Sequence, residues 1–96
     1  MPTLRRRIDH IVTLVRSVLD ARARVIIELN ADDAALEAII EAIPAMRRPT
    51  VAPLHGGSGF AIKAAVPRSE LTGLLPRLKS LGATDILITP PAQIIP

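Results

Sequence analysis

The feature that most constrains the fold is a pair of strand-like segments joined by a glycine-rich turn within residues 48–67. Along Phe60 to Val66, apolar and smaller or charged residues alternate with the two-residue period of a strand. Between this segment and Thr50 to Leu54, His55-Gly-Gly-Ser-Gly59 supplies residues that tolerate positive φ in a chain reversal. The stretch predicts a β-hairpin, with Pro53 placing the first arm at a sheet edge or a bulge because proline donates no ladder hydrogen bond.

The segment before the hairpin predicts one strand and one helix. Residues 24–29 are rich in β-branched side chains, which favours a strand. Asn30 is the predicted N-cap of a helix over about residues 32–43, whose apolar residues recur at three- and four-residue steps. Pro44 is expected to end that helix.

The segment after the hairpin predicts one helix followed by one strand. Ser69 is the predicted N-cap of a leucine-rich helix that stops at Gly82. Pro76 falls inside the helix and predicts a kink or a shortening. Residues 84–89 are the last predicted strand, and a short apolar tail at 92–96 follows the prolines that end it.

The resulting order is strand, helix, strand, strand, helix, strand. This order predicts an α+β, ferredoxin-like βαββαβ domain (ACT/PII-like) over residues 24–96, with a four-stranded antiparallel sheet and two helices on one face. The other face is small and partly apolar, which favours self-association of the chain. The residues expected on it are Ile26, Glu28, Ala61, Lys63 and Ala65.

Residues 1–23 stand outside this unit and predict an amphipathic linker helix, from Leu4 to about Ala21. Residues 1–24 hold six Arg against two Asp, whereas the rest of the chain is nearly balanced in charge. We interpret the arginines as a solvated helix face and expect no nucleic-acid binding. The apolar stripe of this helix must pack on the domain, on a missing domain or on another copy of the chain.

Composition and side-chain chemistry exclude several functional classes. Ninety-six residues make one domain, and the absence of cysteine excludes disulfides and thiol chemistry. No apolar run is long enough to span a membrane, so a cytoplasmic protein is expected. His10 and His55 lack ligand spacing, and helix capping explains Asp32-Asp33. The sequence predicts no catalytic residue, no metal site and no cofactor in this chain.

Four segments together resemble one known family. Arg48-Pro-Thr-Val-Ala-Pro-Leu54 is similar to S-P-T-[VI]-[SA]-P-L, and residues 60–67 are similar to V-A-[VI]-x-A-[VL]-V-P. Leu78-Lys-Ser-Leu-Gly-Ala-Thr-Asp-Ile-Leu-Ile88 is similar to L-x-x-[LI]-G-A-x-x-I-L-V, and the tail at 90–96 follows P-I-E-K-M-I-P. These patterns are those of the C-terminal regulatory domain of long-form ATP phosphoribosyltransferase, and the likeness covers about residues 7–96.

The resemblance implies a regulatory, non-catalytic domain of histidine biosynthesis. In the family this domain binds L-histidine as a feedback effector between subunits, so a homo-oligomer, a trimer or a hexamer, is expected. The resemblance also implies the family's catalytic domains as partners, with Mg²⁺ belonging to the parent enzyme. Carried over by position, the effector-binding residues are Asn30, Met46, Thr50, Ala65 and Asp85.

Three of these five positions depart from the family pattern. Asn30 stands where an acidic residue can occur in the family, Ala65 is smaller than the leucine that occurs there in some members, and Asp85 stands where a small residue is usual. The sequence therefore leaves two alternatives open beside histidine binding. One is an oligomerisation module that has lost the effector, and the other is a sensor with a changed small-molecule ligand.

Overall fold

The computed structural model describes residues 2–95. Met1, and Pro96 at the end of the predicted tail, lie outside the described residues. A helix α1 (Pro2–Ala23) leads into strand β1 (Arg24–Ala31), helix α2 (Leu36–Ala42) and strand β2 (Thr50–Pro53). Strand β3 (Phe60–Pro67), a short 3-10 turn (Arg68–Glu70), helix α3 (Leu71–Ser80) and strand β4 (Thr84–Thr89) follow. The predicted order of elements is confirmed.

The four strands form one antiparallel sheet in the order β2-β3-β1-β4. The strand β2 lies at an edge, which is where Pro53 was expected to place it. In the central pair, Ile27 of β1 lies opposite Ala64 of β3, and Glu28 lies opposite Lys63. This arrangement is the predicted ferredoxin-like α+β fold.

One face of the sheet packs against α2 and α3 and forms the core. Alternate residues of β1 and β3 are buried here, as the two-residue period of the sequence predicted. Ile39 of α2 and Leu74 and Leu78 of α3 close the layer from the helix side. The buried sheet residues are Val25, Ile27, Leu29, Ala31, Ile62, Ala64 and Val66.

Three predictions about helix ends were wrong. Asn30 does not cap α2, because β1 continues through it to Ala31. The helix α2 begins at Leu36 instead of Asp32, because Asp32 makes a turn in which its own Oδ1 accepts a hydrogen bond from the Ala35 amide (2.8 Å). Ser69 lies inside the 3-10 turn and makes no capping hydrogen bond.

Pro76 does not shorten α3, because the helix continues past it to Ser80. The predicted stop after α3 was confirmed. Gly82 follows with φ of 105°, and the Ala83 amide donates to the Leu78 carbonyl over 3.0 Å in the geometry of a Schellman motif. In the hairpin turn, Gly59 has φ of 87°, and a Cβ there would lie 3.2 Å from the Ala31 carbonyl oxygen. The turn therefore needs glycine for both conformation and space.

The helix α1 packs on the domain only near its C-terminal end. Ser17 and Ala21 are buried, and the amide of Ile94 in the tail donates to the Ser17 carbonyl over 3.1 Å. The apolar stripe of α1 remains exposed along the helix as far as Leu19, with Ile11 61% exposed. Within residues 2–95, no helix is long and apolar enough to cross a membrane.

Candidate functional site

The sheet face opposite the two helices is the candidate site, and we call it the open face. It carries the residues that alternate with the core positions of each strand. Its middle row runs across the sheet from Thr50 of β2 through Lys63 and Glu28 to Leu87 of β4. The other residues of the face are Ile26, Asn30, Ala52, Ala61, Ala65, Asp85 and Thr89.

The structure brings the five predicted effector residues to this face. Asn30, Thr50, Ala65 and Asp85 lie on the strands of the open face itself. Met46 lies in the loop before β2, and its amide donates a hydrogen bond to the Ala65 carbonyl over 2.8 Å. Residues separated by up to 55 positions in sequence are therefore neighbours on one surface of the sheet.

Two depressions adjoin on the open face. The first, about 320 Å³, is lined by Asn30 and Asp85 together with Glu28, and we call it the acidic depression. The second, about 290 Å³, is lined by Met46, Ala65, Arg47 and Arg48, and we call it the basic depression. Thr50 and Lys63 line both. Each depression is open to solvent.

Asn30 and Asp85 form a polar contact at one end of the acidic depression. The Asn30 Nδ2 donates to the Asp85 Oδ2 over 3.3 Å. Asp85 has φ of 53° and lies where the pairing of β1 with β4 shifts register between Glu28 and Asn30. A β-bulge of this kind turns a side chain to a new direction, and here it presents the carboxylate beside Asn30.

A larger cleft of about 500 Å³ lies at the end of β1, next to the hairpin turn. Its lining includes Asp32 and Asp33, but both carboxylates hold the fold together. The Asp33 Oδ1 accepts from the Gly59 amide over 2.9 Å, and the Asp32 Oδ1 accepts from the Ala35 amide. These contacts give both acids a structural role in turns, but neither caps α2 as predicted, because the helix begins at Leu36 without a side-chain cap.

The two histidines remain exposed, His10 on α1 and His55 in the hairpin turn. Among residues 2–95, no group of three or more His, Asp or Glu side chains is placed to hold a metal ion.

Sequence reasoning placed Lys63 on this face but missed its position at the junction of the two depressions. The signal was present in the alternation of β3, because Lys63 is the only charged residue between Phe60 and Val66. The arginines 47 and 48 were treated as part of a loop, and only the folded chain places them beside Lys63.

Comparisons with known proteins agree with the motifs of the hairpin and of the last strand. The sequence pattern of the HisG C-terminal domain matches residues 21–91. The ATP phosphoribosyltransferase of Methanothermobacter thermautotrophicus is 37% identical over 90 residues, which are 93% of this chain and 31% of the relative. That of Natronomonas pharaonis is 34% identical over 90 residues, 94% of this chain and 32% of the relative.

A third relative extends the match over nearly the whole chain. The ATP phosphoribosyltransferase of Geotalea uraniireducens is 33% identical over 94 residues, which are 98% of this chain and 32% of the relative. The match therefore includes α1 as well as the sheet domain. The chain spans about a third of the length of these relatives.

Proposed function

We propose, since the chain belongs to the HisG C-terminal domain family, that it is the regulatory domain of an ATP phosphoribosyltransferase of histidine biosynthesis. In this proposal the open face receives L-histidine as a feedback effector between neighbouring copies of the chain. The observation that carries the proposal is the gathering of Asn30, Met46, Thr50, Ala65 and Asp85 around two adjoining depressions. The domain itself performs no catalysis.

The contacts of the effector follow from the side chains present. The Thr50 hydroxyl is exposed at the boundary of the depressions and is free to donate or accept a hydrogen bond. The Asp85 carboxylate offers an acceptor for an ammonium group, a role that the neutral Asn30 amide fills less strongly. Histidine regulates only when these contacts differ between two states of the assembly.

Self-association supplies the missing cover of the site. Leu87 is 62% exposed on the open face, which also carries the apolar side chains of Ile26, Ala52, Ala61 and Ala65. Burying this surface against a second copy stabilises the complex in proportion to the apolar area removed from water. We propose a trimer or a hexamer, with the effector at the contact between copies.

The exposed stripe of α1 supports a second contact, with the catalytic domains of an ATP phosphoribosyltransferase. Leu4, Ile8, Ile11, Val15 and Leu19 are each more than half exposed. A stripe of this kind is stable in water only when an apolar partner surface covers it. In this proposal Mg²⁺ belongs to the catalytic part, and the assembly works in the cytoplasm.

One observation favours a second candidate, an oligomerisation module without an effector. The Asn30 amide and the Asp85 carboxylate already engage each other across the acidic depression. If that contact persists in the assembly, the depression keeps its shape but loses the polar groups that a ligand would need.

Calorimetric titration of L-histidine into the full chain, with the mass in solution measured by light scattering, tests the proposal. We expect saturable binding to an oligomer. Thr50→Ala should weaken binding about three- to tenfold, the value of one neutral hydrogen bond, without changing the mass. Thr89→Ala, on the same face but outside both depressions, is the matched control. A stable oligomer that binds no histidine would favour the oligomerisation module.

A further inference from the structure

Lys63 occupies the junction of the acidic and basic depressions, at the centre of the open face. It lies on β3 between Thr50 of β2 and Glu28 of β1. We infer that Lys63 binds the carboxylate of an α-amino acid whose ammonium group is held by Asp85, so that Lys63 selects zwitterionic ligands. The inference rests on the proposed function, because it places the ligand on the same face.

The charges of the open face are separated into two ends. The basic depression brings Lys63 together with Arg47 and Arg48, while the acidic depression ends at Asp85. By strand spacing and rise per residue, the backbone positions of Lys63 and Asp85 are on the order of 12 Å apart. The lysine side chain spans part of that distance, and a ligand with its anionic and cationic groups close together fits the remainder.

Glu28 and Asn30 of β1 lie between these two charged groups, because β1 separates β3 from β4, and a small apolar floor lies beside them. Ala52 and Ala61 lie opposite each other on β2 and β3 and line the acidic depression. Their methyl groups leave the space for the ligand, and Leu87 supplies an apolar wall. Pockets that combine an apolar lining with a few polar groups are typical of small-molecule sites.

Glu28 is the competing partner for Lys63, because the two residues lie directly opposite each other in the sheet. Both side chains are exposed. Exposed ion pairs contribute little to stability, since water and salt screen them. A ligand carboxylate buried between two copies of the chain would be a stronger partner for the lysine than Glu28 in water.

The experiment removes one charge from the ligand and one from the protein. The ligands are L-histidine, histamine, which lacks the carboxylate, and imidazolepropionate, which lacks the ammonium group. The wild-type chain should bind histamine and imidazolepropionate each about tenfold or more weakly than L-histidine, the cost of losing a hydrogen bond to a charged group. Equal affinity for L-histidine and histamine would overturn the role of Lys63.

The variants assign each ligand group to a residue. Lys63→Met should weaken L-histidine about tenfold and leave histamine unchanged, whereas Asp85→Asn should weaken L-histidine and leave imidazolepropionate unchanged. Lys63→Arg, which keeps the charge, should retain the preference for L-histidine over histamine. Lys79→Met, an exposed lysine of α3, is the control for the loss of one positive charge. An equal loss for all three ligands in Lys63→Met would overturn the inference.

A further screen tests the role of Lys63 independently of whether L-histidine is the effector. If L-histidine does not bind, backbone amide shifts of the ¹⁵N-labelled chain are recorded with each of the other standard amino acids. Binding of one of them, lost in Lys63→Met, would support Lys63 and reject histidine as the effector. If no amino acid shifts the amides of β1 and β3, both the inference and the proposed function are wrong.

Discussion

The two faces of the sheet are built from the same strands but have opposite properties. On the core face, Val25, Ile27 and Leu29 are 1%, 0% and 2% exposed. On the open face, Glu28 lies between Ile27 and Leu29 along β1, and Lys63 lies opposite it on β3. Both side chains are exposed, and Leu87 is 62% exposed. The core face therefore secures the fold, and the residues of the open face can vary without loss of that core.

The largest loss of stability is expected from a substitution on the core face of the sheet. Ile27→Ala removes a fully buried side chain between the sheet and the helices and should lower the free energy of unfolding by about 2–5 kcal/mol. Its neighbour Ile26 lies on the open face, and Ile26→Ala should cost less than about 1 kcal/mol. Urea unfolding followed by circular dichroism measures both. Equal losses would mean that the open face is also packed.

A smaller effect on stability, but a large one on assembly, is expected from the open face. Leu87→Lys places a charge opposite Glu28 on the surface proposed to meet a second copy, and burying charged side chains is costly even when they are paired. We expect association at least about tenfold weaker by sedimentation, with unchanged unfolding of the single chain. Thr72→Lys, exposed on α3, adds the same charge away from the face. An unchanged mass in Leu87→Lys would place the contact elsewhere.

The smallest effect concerns the bulge that turns Asp85 toward Asn30. Asp85 has φ of 53°, a conformation that costs an alanine about 1 kcal/mol relative to glycine. Asp85→Gly should therefore be more stable than Asp85→Ala by about that amount. At position 61, in a regular part of β3, Ala61→Gly should instead be destabilising by about 0.5–1 kcal/mol. If glycine is less stable than alanine at both positions, the backbone at Asp85 does not have the conformation of the bulge. Thermal unfolding of the three variants provides the comparison.

Much of the fold was predictable because local rules and the hydrophobic pattern agree. The alternation along β3 gave its buried face, Gly82 gave the end of α3, and Pro53 gave the edge strand. The prediction failed at Asn30, where pairing of β1 with both β3 and β4 carries the strand past a good capping residue. Tertiary pairing outweighed local capping at this position because Asn30 pairs with Ala61 on one side and Thr84 on the other.

The candidate site was predictable only in part. A family resemblance named Thr50, Ala65 and Asp85, but no local pattern shows that these residues share one face. The contact of Asn30 with Asp85 depends on a register shift between β1 and β4, which periodicity does not reveal. The place of Lys63 between two depressions depends on which strands flank β3.

The order of the elements and the core follow from the sequence, because a strand's two-residue period and a helix's three- and four-residue steps decide which side chains leave water together. The sequence also determined that a hairpin forms at residues 54–60, since glycine there accepts positive φ. Only folding fixes the strand order, the bulge at Asp85 and the depression that Lys63 lines together with Arg47 and Arg48. These features arise from pairing between segments that are distant in sequence. The free energy that stabilises them is the sum over many cross-strand contacts, and no single residue's preference sets it.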